Sequence, residues 1–195
     1  MLRRVACCLV LFAFSACAQV AYQPPTQAER NRLYLKSLIE PFGYAKTALS
    51  AGLDQWGDKP EEWEQGGSGY GKRFANIAAQ RAVHRTFTYL AASALHEDNR
   101  YFPSGEHGVW KRTRYALLSS VLARREDGSR RVSLSEIGGT AVGAFAARLW
   151  LPRSQNSAGD GAVSFGISMA GNAASSVLKE FMPDLLRRVH ILQSP

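Results

Sequence analysis

Apolar residues recur at helical spacing along most of the chain, and the runs are separated by Pro, Gly or capping residues. Thr26 and Glu29 have the spacing of a capping box, in which a hydroxyl and a carboxylate satisfy early backbone N–H groups. Leu33, Leu35 and Leu38 carry the helix that follows to a stop near Pro41, and a second helix is predicted over 44–55. Residues 57–71, rich in Gly, Trp and Glu, read as a loop. Residues 72–95 hold neither Gly nor Pro and are rich in Ala, which predicts a long helix. Pro103, Gly105 and Gly108 make 96–108 a loop. Trp110, Leu117, Leu118, Val121 and Leu122 then keep helical spacing over 109–125, before a charged turn around Gly128. Ser133 and Glu136 repeat the capping-box spacing and open a helix that Pro152 ends. After a polar turn at 154–159, a further helix covers 162–181, and Pro183 starts a short last one ending near Leu192. No alternating, β-branched run is long enough to propose a sheet. The expectation is an all-α domain of six or seven helices over 26–195.

The C-terminal half adds a second pattern. Residues 137–151 carry one charge, Arg148, and 161–178 carry none. Gly139 and Gly143 have the Gly-x-x-x-Gly spacing, and Gly161, Gly166 and Gly171 follow at five-residue steps. Glycine so placed lets helices approach closely, as in membrane helix pairs. Since each interior Gly costs up to about 1 kcal/mol of helix propensity, close packing is the expected compensation. A Gly/Ala-rich helical hairpin is therefore predicted, either buried in a soluble core or embedded in or docked on a membrane.

The N-terminus changes the setting. Residues 1–18 have a basic start (Arg3, Arg4), a ten-residue apolar run over 5–14 and small residues at Ser15, Ala16, Cys17 and Ala18. This is the layout of a secretory signal, and the run falls short of the roughly 20 residues a spanning helix needs. Ala16-Cys17-Ala18 offers a cleavage site that leaves Gln19 first. A lipobox reading, with Cys17 acylated, is the alternative. Residues 19–25 form a linker. Cys7, Cys8 and Cys17 all lie in or at the end of the signal, so plain cleavage leaves no thiol, and neither a disulfide nor a Cys-ligated metal is expected. Removing Arg3 and Arg4 lowers the formal net charge from +8 to +6. In the periplasm or at an envelope membrane, the partners for a basic protein are anionic lipid or envelope polymer rather than nucleic acid. Pairing with a second copy or with another envelope protein is also open.

Candidate chemistry is sparse. Residues 66–72 match the glycine-rich phosphate loop up to Lys72, but Arg73 stands where Ser or Thr would hold magnesium, and an acidic stretch, not a strand, precedes it. Pro103, Ser104, Gly105, Glu106 and His107 resemble the PSGH segment of membrane-bound phosphatidic-acid-type phosphatases, with Glu106 interrupting it and no nucleophilic His in register downstream. His96-Glu97-Asp98-Asn99-Arg100-Tyr101 is the densest polar cluster, with His96, Glu97 and Asp98 as its candidates for chemistry. With His107 it forms a candidate acid–base or metal-binding group, although consecutive helical residues point about 100° apart and the His spacings match no zinc pattern. The structural alternative pairs Asp98 with Arg100, leaves Glu97 in solvent and sets His96 against a helix C-terminus.

Arg73, Arg81, His84 and Arg85 share one arc of the long helix, and Lys111, Arg112 and Arg114 add charge on the next. These six Lys and Arg residues are candidates for contact with lipid or another anion, with Trp56, Trp63, Trp110 and Trp150 as candidate interfacial anchors.

Tyr70-Gly71-Lys72-Arg73-Phe74, Glu97-Asp98-x-Arg100-Tyr101 and the segment around Gly138 and Gly139 together resemble a family of exported bacterial envelope proteins to which no activity is assigned. That resemblance implies an envelope protein and adds no catalytic residue. The reading is a non-enzymatic exported protein that associates with a membrane through its hairpin and basic surface, without a cofactor or metal. The alternative is a periplasmic hydrolase or metal-binding enzyme centred on His96, Glu97 and Asp98.

Overall fold

The computed structural model describes residues 22–188, so the expected secretory signal, its expected cleavage or acylation site at Cys17 and the end of the chain beyond Arg188 lie outside the described residues. The fold is all-α, with six α-helices and one small hairpin among the described residues: α1 (Gln27–Ile39), α2 (Pro41–Trp56), α3 (Gly66–Leu95), α4 (Val109–Ser119), β1 (Leu122–Arg124), β2 (Arg130–Val132), α5 (Leu134–Ala146) and α6 (Ala158–Arg188). The central helix is α3. Its main partner is α5, with α2 and α1 on its flanks, while α6 packs on α5 and α4.

Local chemistry accounts for most boundaries. The Thr26 hydroxyl accepts from Glu29 N at 3.3 Å, and Thr26 N donates back to the Glu29 carboxylate at 3.4 Å, closing the capping box that starts α1. Pro41 occupies the first turn of α2, where its missing N–H has no intrahelical partner to lose. Gly43, Thr47 and Ala51, at four-residue steps, form the buried face that α2 turns inward.

Five expectations are corrected, the absence of a sheet among them. Residues 66–71 are not loop but the first turns of α3, preceded by a 3-10 turn at Glu61–Trp63. Gly69 has no room for a Cβ against the carbonyls of Trp63 and Glu64, and Arg73 one turn later binds the same segment. Tertiary contact thus overrides the propensity of the glycines. The helix from 109 ends at Ser119 rather than near 125, because Ser120 N and Oγ both fold back onto Leu117 O. Residues 122–124 then pair antiparallel with 130–132 across Gly128, whose φ of +77° suits a residue without Cβ. Finally, α6 is one helix through Pro183. Proline removes a backbone donor there, but Arg112 donates to Glu180 O at 2.6 Å and to the Asp184 carboxylate at 2.5 Å, bracing the same turn from α4.

The fifth correction concerns the hairpin. Helices α5 and α6 do pack together, with Gly161 against the Phe145 ring, where an added Cβ would stand 2.7 Å away. Gly139 and Gly143, however, serve the contact with α3. A Cβ on Gly139 would run into the Thr88 hydroxyl and His84, and one on Gly143 would lie 3.0 Å from the His84 Cβ. Gly166 and Gly171 have nothing within 4 Å of an added Cβ and close no contact.

What lies inside is small or polar. Among the described residues, the buried apolar ones are six alanines and Leu151, while Arg73, Glu97, Asp98, Glu180, Thr140, Ser133 and Ser135 are buried beside them. Large apolar side chains lie outward on α1, α2, α4 and α6, among them Ile39, Leu49, Leu53, Trp56, Trp110 and Ile167. Globular cores normally show the reverse partition. Among the described residues, no helix is long and apolar enough to cross a membrane.

Candidate functional site

The polar cluster at the end of α3 is dispersed by the backbone. His96 caps the helix in the left-handed conformation, φ 54°, which throws the next residues in different directions. Its Nδ1 lies 2.7 Å from the Glu126 carboxylate, in solvent and away from Glu97. Glu97 is buried rather than solvated. Its carboxylate accepts from Leu134 N at 3.2 Å, Ser135 N at 2.9 Å, Ser135 Oγ at 2.6 Å and Ser133 Oγ at 3.2 Å. It is therefore the anion at the N-terminus of α5, where free N–H groups and the helix dipole favour negative charge.

Asp98 accepts from Arg100 N, from its guanidinium at 2.8–3.0 Å and from Tyr22 OH at 3.0 Å. Burial and the adjacent Asp98 carboxylate push the Tyr22 hydroxyl up to about 12. His107 sits on an exposed loop and meets none of the three. Among the described residues, no group of three His, Cys, Asp or Glu side chains is placed to hold a metal ion.

The segment holding Ser104 belongs to a second acidic node. The buried Glu180 carboxylate accepts from Tyr101 OH at 2.6 Å, Ser104 Oγ at 2.5 Å, Ser104 N at 3.1 Å and Arg112 Nε at 3.0 Å. Burial by itself raises this carboxyl, but the Ser104, Tyr101 and Arg112 donors outweigh it and hold the group at about 2. Burial and the same carboxylate push the Tyr101 hydroxyl well above its usual range.

The basic arc separates in the same way. Arg73 is fully buried and donates to Lys59 O, Pro60 O, Glu64 O, Gln55 Oε1 and Asp58 Oδ1, so it ties α3 to the preceding loop and is not a surface cation. Arg81 donates to Ser37 O at 2.5 Å beside Gly43, whose missing side chain makes the room. Arg112 is held by Glu180 and Asp184. Lys111 and Arg114 stay exposed on α4, next to Trp110, which is 79% exposed. Trp56 and Trp150 are exposed too, and Trp150 Nε1 donates to Asn76 Oδ1 at 2.8 Å.

A site the sequence did not group lies between α2 and α6. These helices form the walls of a cleft, and α3 and α5 form its floor. One end is a cavity of about 140 Å³ lined by Lys46, Arg85, Glu136, Asn172, Ser176 and Lys179. A neighbouring cavity of about 280 Å³ shares Lys46, Arg85 and Asn172 and continues past Ile77 and Ile167. Lys46 spans the walls, donating to Ser175 Oγ at 3.1 Å.

Glu136, expected to complete the second capping box, turns inward instead. Ser133 Oγ still accepts from Glu136 N at 3.1 Å, but the Glu136 carboxylate takes Asn172 Nδ2 at 3.1 Å and lies 3.3 Å from His84 Nε2. Burial raises its pKa, yet His84, Arg85 and Lys179 together bring it below the ordinary value. Burial and the charge of Arg85 lower both Lys46 and Lys179. The cleft can hold negative charge; of its charged residues Arg81, His84, Arg85 and the cap residue Glu136 carried a sequence signal, and Glu40, Lys46 and Lys179 did not. Compared with known protein families, curated proteins and solved structures, the chain matches none.

Proposed function

We propose that the protein is an exported, non-enzymatic envelope protein that docks peripherally on an anionic membrane surface through α4. The observation that carries this reading is the inverted partition of side chains, with small and polar residues inside and large apolar ones outside. On α4 the apolar and basic residues share one exposed face: Trp110, Leu117 and Leu118 stand beside Lys111 and Arg114. That is the composition of an interfacial helix, whose rings and aliphatic chains enter the headgroup layer while the cations meet lipid phosphates. Each exposed Lys or Arg near an anionic surface contributes about 1 kcal/mol, so two of them with one Trp make a reversible attachment. The secretory layout of residues 1–18 supplies the compartment, and acylation at Cys17 would add a separate anchor. The hydrolase alternative, centred on His96, Glu97 and Asp98, has no observation of its own to favour it.

Cell fractionation tests the reading. With Cys17 replaced by Ala, the protein should sediment with membranes at low salt and be released by carbonate. The Lys111→Glu/Arg114→Glu variant should move to the soluble fraction. Recovery of the unaltered α4 protein in the soluble fraction at low salt would refute the proposal.

A further inference from the structure

The cleft carries an inference that is independent of membrane docking. We infer that the basic end of the cleft between α2 and α6 is a binding site for a phosphate group, held by Arg85 on the floor and by Lys46 and Lys179 on the two walls.

Three observations converge on it. First, Arg85 makes no hydrogen bond to any described residue, and its Nε is shut away from solvent without an acceptor. A guanidinium offers five donors in a fixed fork, so a half-buried one at the floor of a cleft with an unmatched Nε is suited to take an oxyanion. Second, the carboxylates nearby are engaged elsewhere. Glu136 is paired with His84 and Asn172, and Glu40 lies 3.9 Å from Arg81. Four cations (Lys46, Arg81, Arg85 and Lys179) therefore face two carboxylates, and two positive charges are left uncompensated. Among the described residues, none of Lys46, Arg85 and Lys179 has a carboxylate within 4 Å. Third, the cations repel one another. Burial is the main cause lowering Lys46, Arg81 and Lys179, and the charge of Arg85 is the next in each case. A doubly charged anion would relieve that crowding at once.

Phosphate suits the arrangement better than a carboxylate. The donors come from three separate helices and approach one cavity of about 140 Å³ from different sides, which matches a tetrahedral group with several oxygens. Ser176, on the same lining, can offer a hydroxyl. The phosphate could be free in solution or carried by a lipid, since the cleft continues into the adjoining cavity of about 280 Å³ past Ile77 and Ile167.

The test is calorimetric titration of the mature protein with inorganic phosphate at fixed ionic strength, and separately with vesicles containing phosphatidate. Saturable phosphate binding that Arg85→Met weakens about tenfold or more assigns the site to a free phosphate. Absence of that binding, with uptake of phosphatidate vesicles that depends on Arg85, assigns it to a lipid headgroup. Arg114→Met, on exposed α4, should leave phosphate binding unchanged. Lys179→Met should repeat the Arg85→Met loss and takes its place if Arg85→Met does not fold. Failure of both ligands, or equal binding by the native protein and both cleft variants, overturns the proposal. Loss of vesicle binding through Lys111 and Arg114 alone, with phosphate binding intact, separates this site from the membrane reading.

Discussion

The acidic nodes and the basic cleft treat buried charge in opposite ways. Glu97 and Glu180 each sit inside the fold with at least four donors closed around the carboxylate. Arg85 is half-buried at the floor of the cleft, and its enclosed Nε has no acceptor among the described residues. A buried charge that is fully paired fixes the elements around it, here the start of α5 and the crossing of α4 with α6. One left unpaired costs stability and is kept for something else. The comparison separates charges that hold the fold from charges available to a ligand, a distinction that residue type does not reveal.

Substitutions should break or sharpen this contrast by different amounts. The largest effect is expected at Glu97, because Glu97→Ala leaves Ser135 N, Ser135 Oγ and Leu134 N without their acceptor in a closed space. Chemical denaturation should show a loss of about 3–5 kcal/mol. Next is Gly139→Ala, whose methyl meets Thr88 and His84 and forces α5 off α3, costing about 2–3 kcal/mol in the same assay.

Glu180 gives a pH signature. Its carboxyl is held at about 2 in the folded protein against an ordinary 4.5, so its contribution is fully present above about pH 4.5 and is lost as pH falls toward 2. Thermal melts should show that acid loss in the native protein, and Glu180→Gln should flatten it while lowering stability at neutral pH. The smallest change is expected in the cleft. Arg85→Met breaks no hydrogen bond and relieves Lys46 and Lys179, so without phosphate its stability should match the native value to within about 0.5 kcal/mol or exceed it. A loss as large as that at Glu97 would put Arg85 among the structural charges and erase the contrast.

Legibility followed sequence distance. The capping box of Thr26 and Glu29 and the body of α3 could be read because their signals lie within a turn or within one uninterrupted helical run. The glycines at 66–71 read as a loop because propensity knows nothing of the Trp63 and Glu64 carbonyls that make a side chain at Gly69 impossible. Pro183 read as a break because its brace, Arg112, is on another helix. Ser133 and Glu136 gave half of the truth: the cap forms, and the carboxylate is taken over by His84 and Asn172.

The candidate site was less legible than the fold. Grouping by sequence proximity assembled His96, Glu97 and Asp98, which the backbone then pulls apart. It missed Lys46 and Lys179 and gave Glu136 only as a cap, and the three come together because α2 and α6 face each other across α3 and α5. The basic arc of α3 was visible, but Arg73 and Arg81 lie on its buried side because loop and α1 carbonyls wait there for their donors.

On α4 the two kinds of charge occur within a single turn. Arg112 faces inward to Glu180 and Asp184, while Lys111 and Arg114 face outward beside Trp110. Vesicle flotation of the mature, non-acylated protein therefore tests the account most directly. The protein should float with vesicles containing phosphatidylglycerol and not with phosphatidylcholine alone, and both high salt and Trp110→Ser/Lys111→Glu/Arg114→Glu should release it. Equal flotation of native and variant protein, or none by either on the anionic vesicles, would contradict docking through this face.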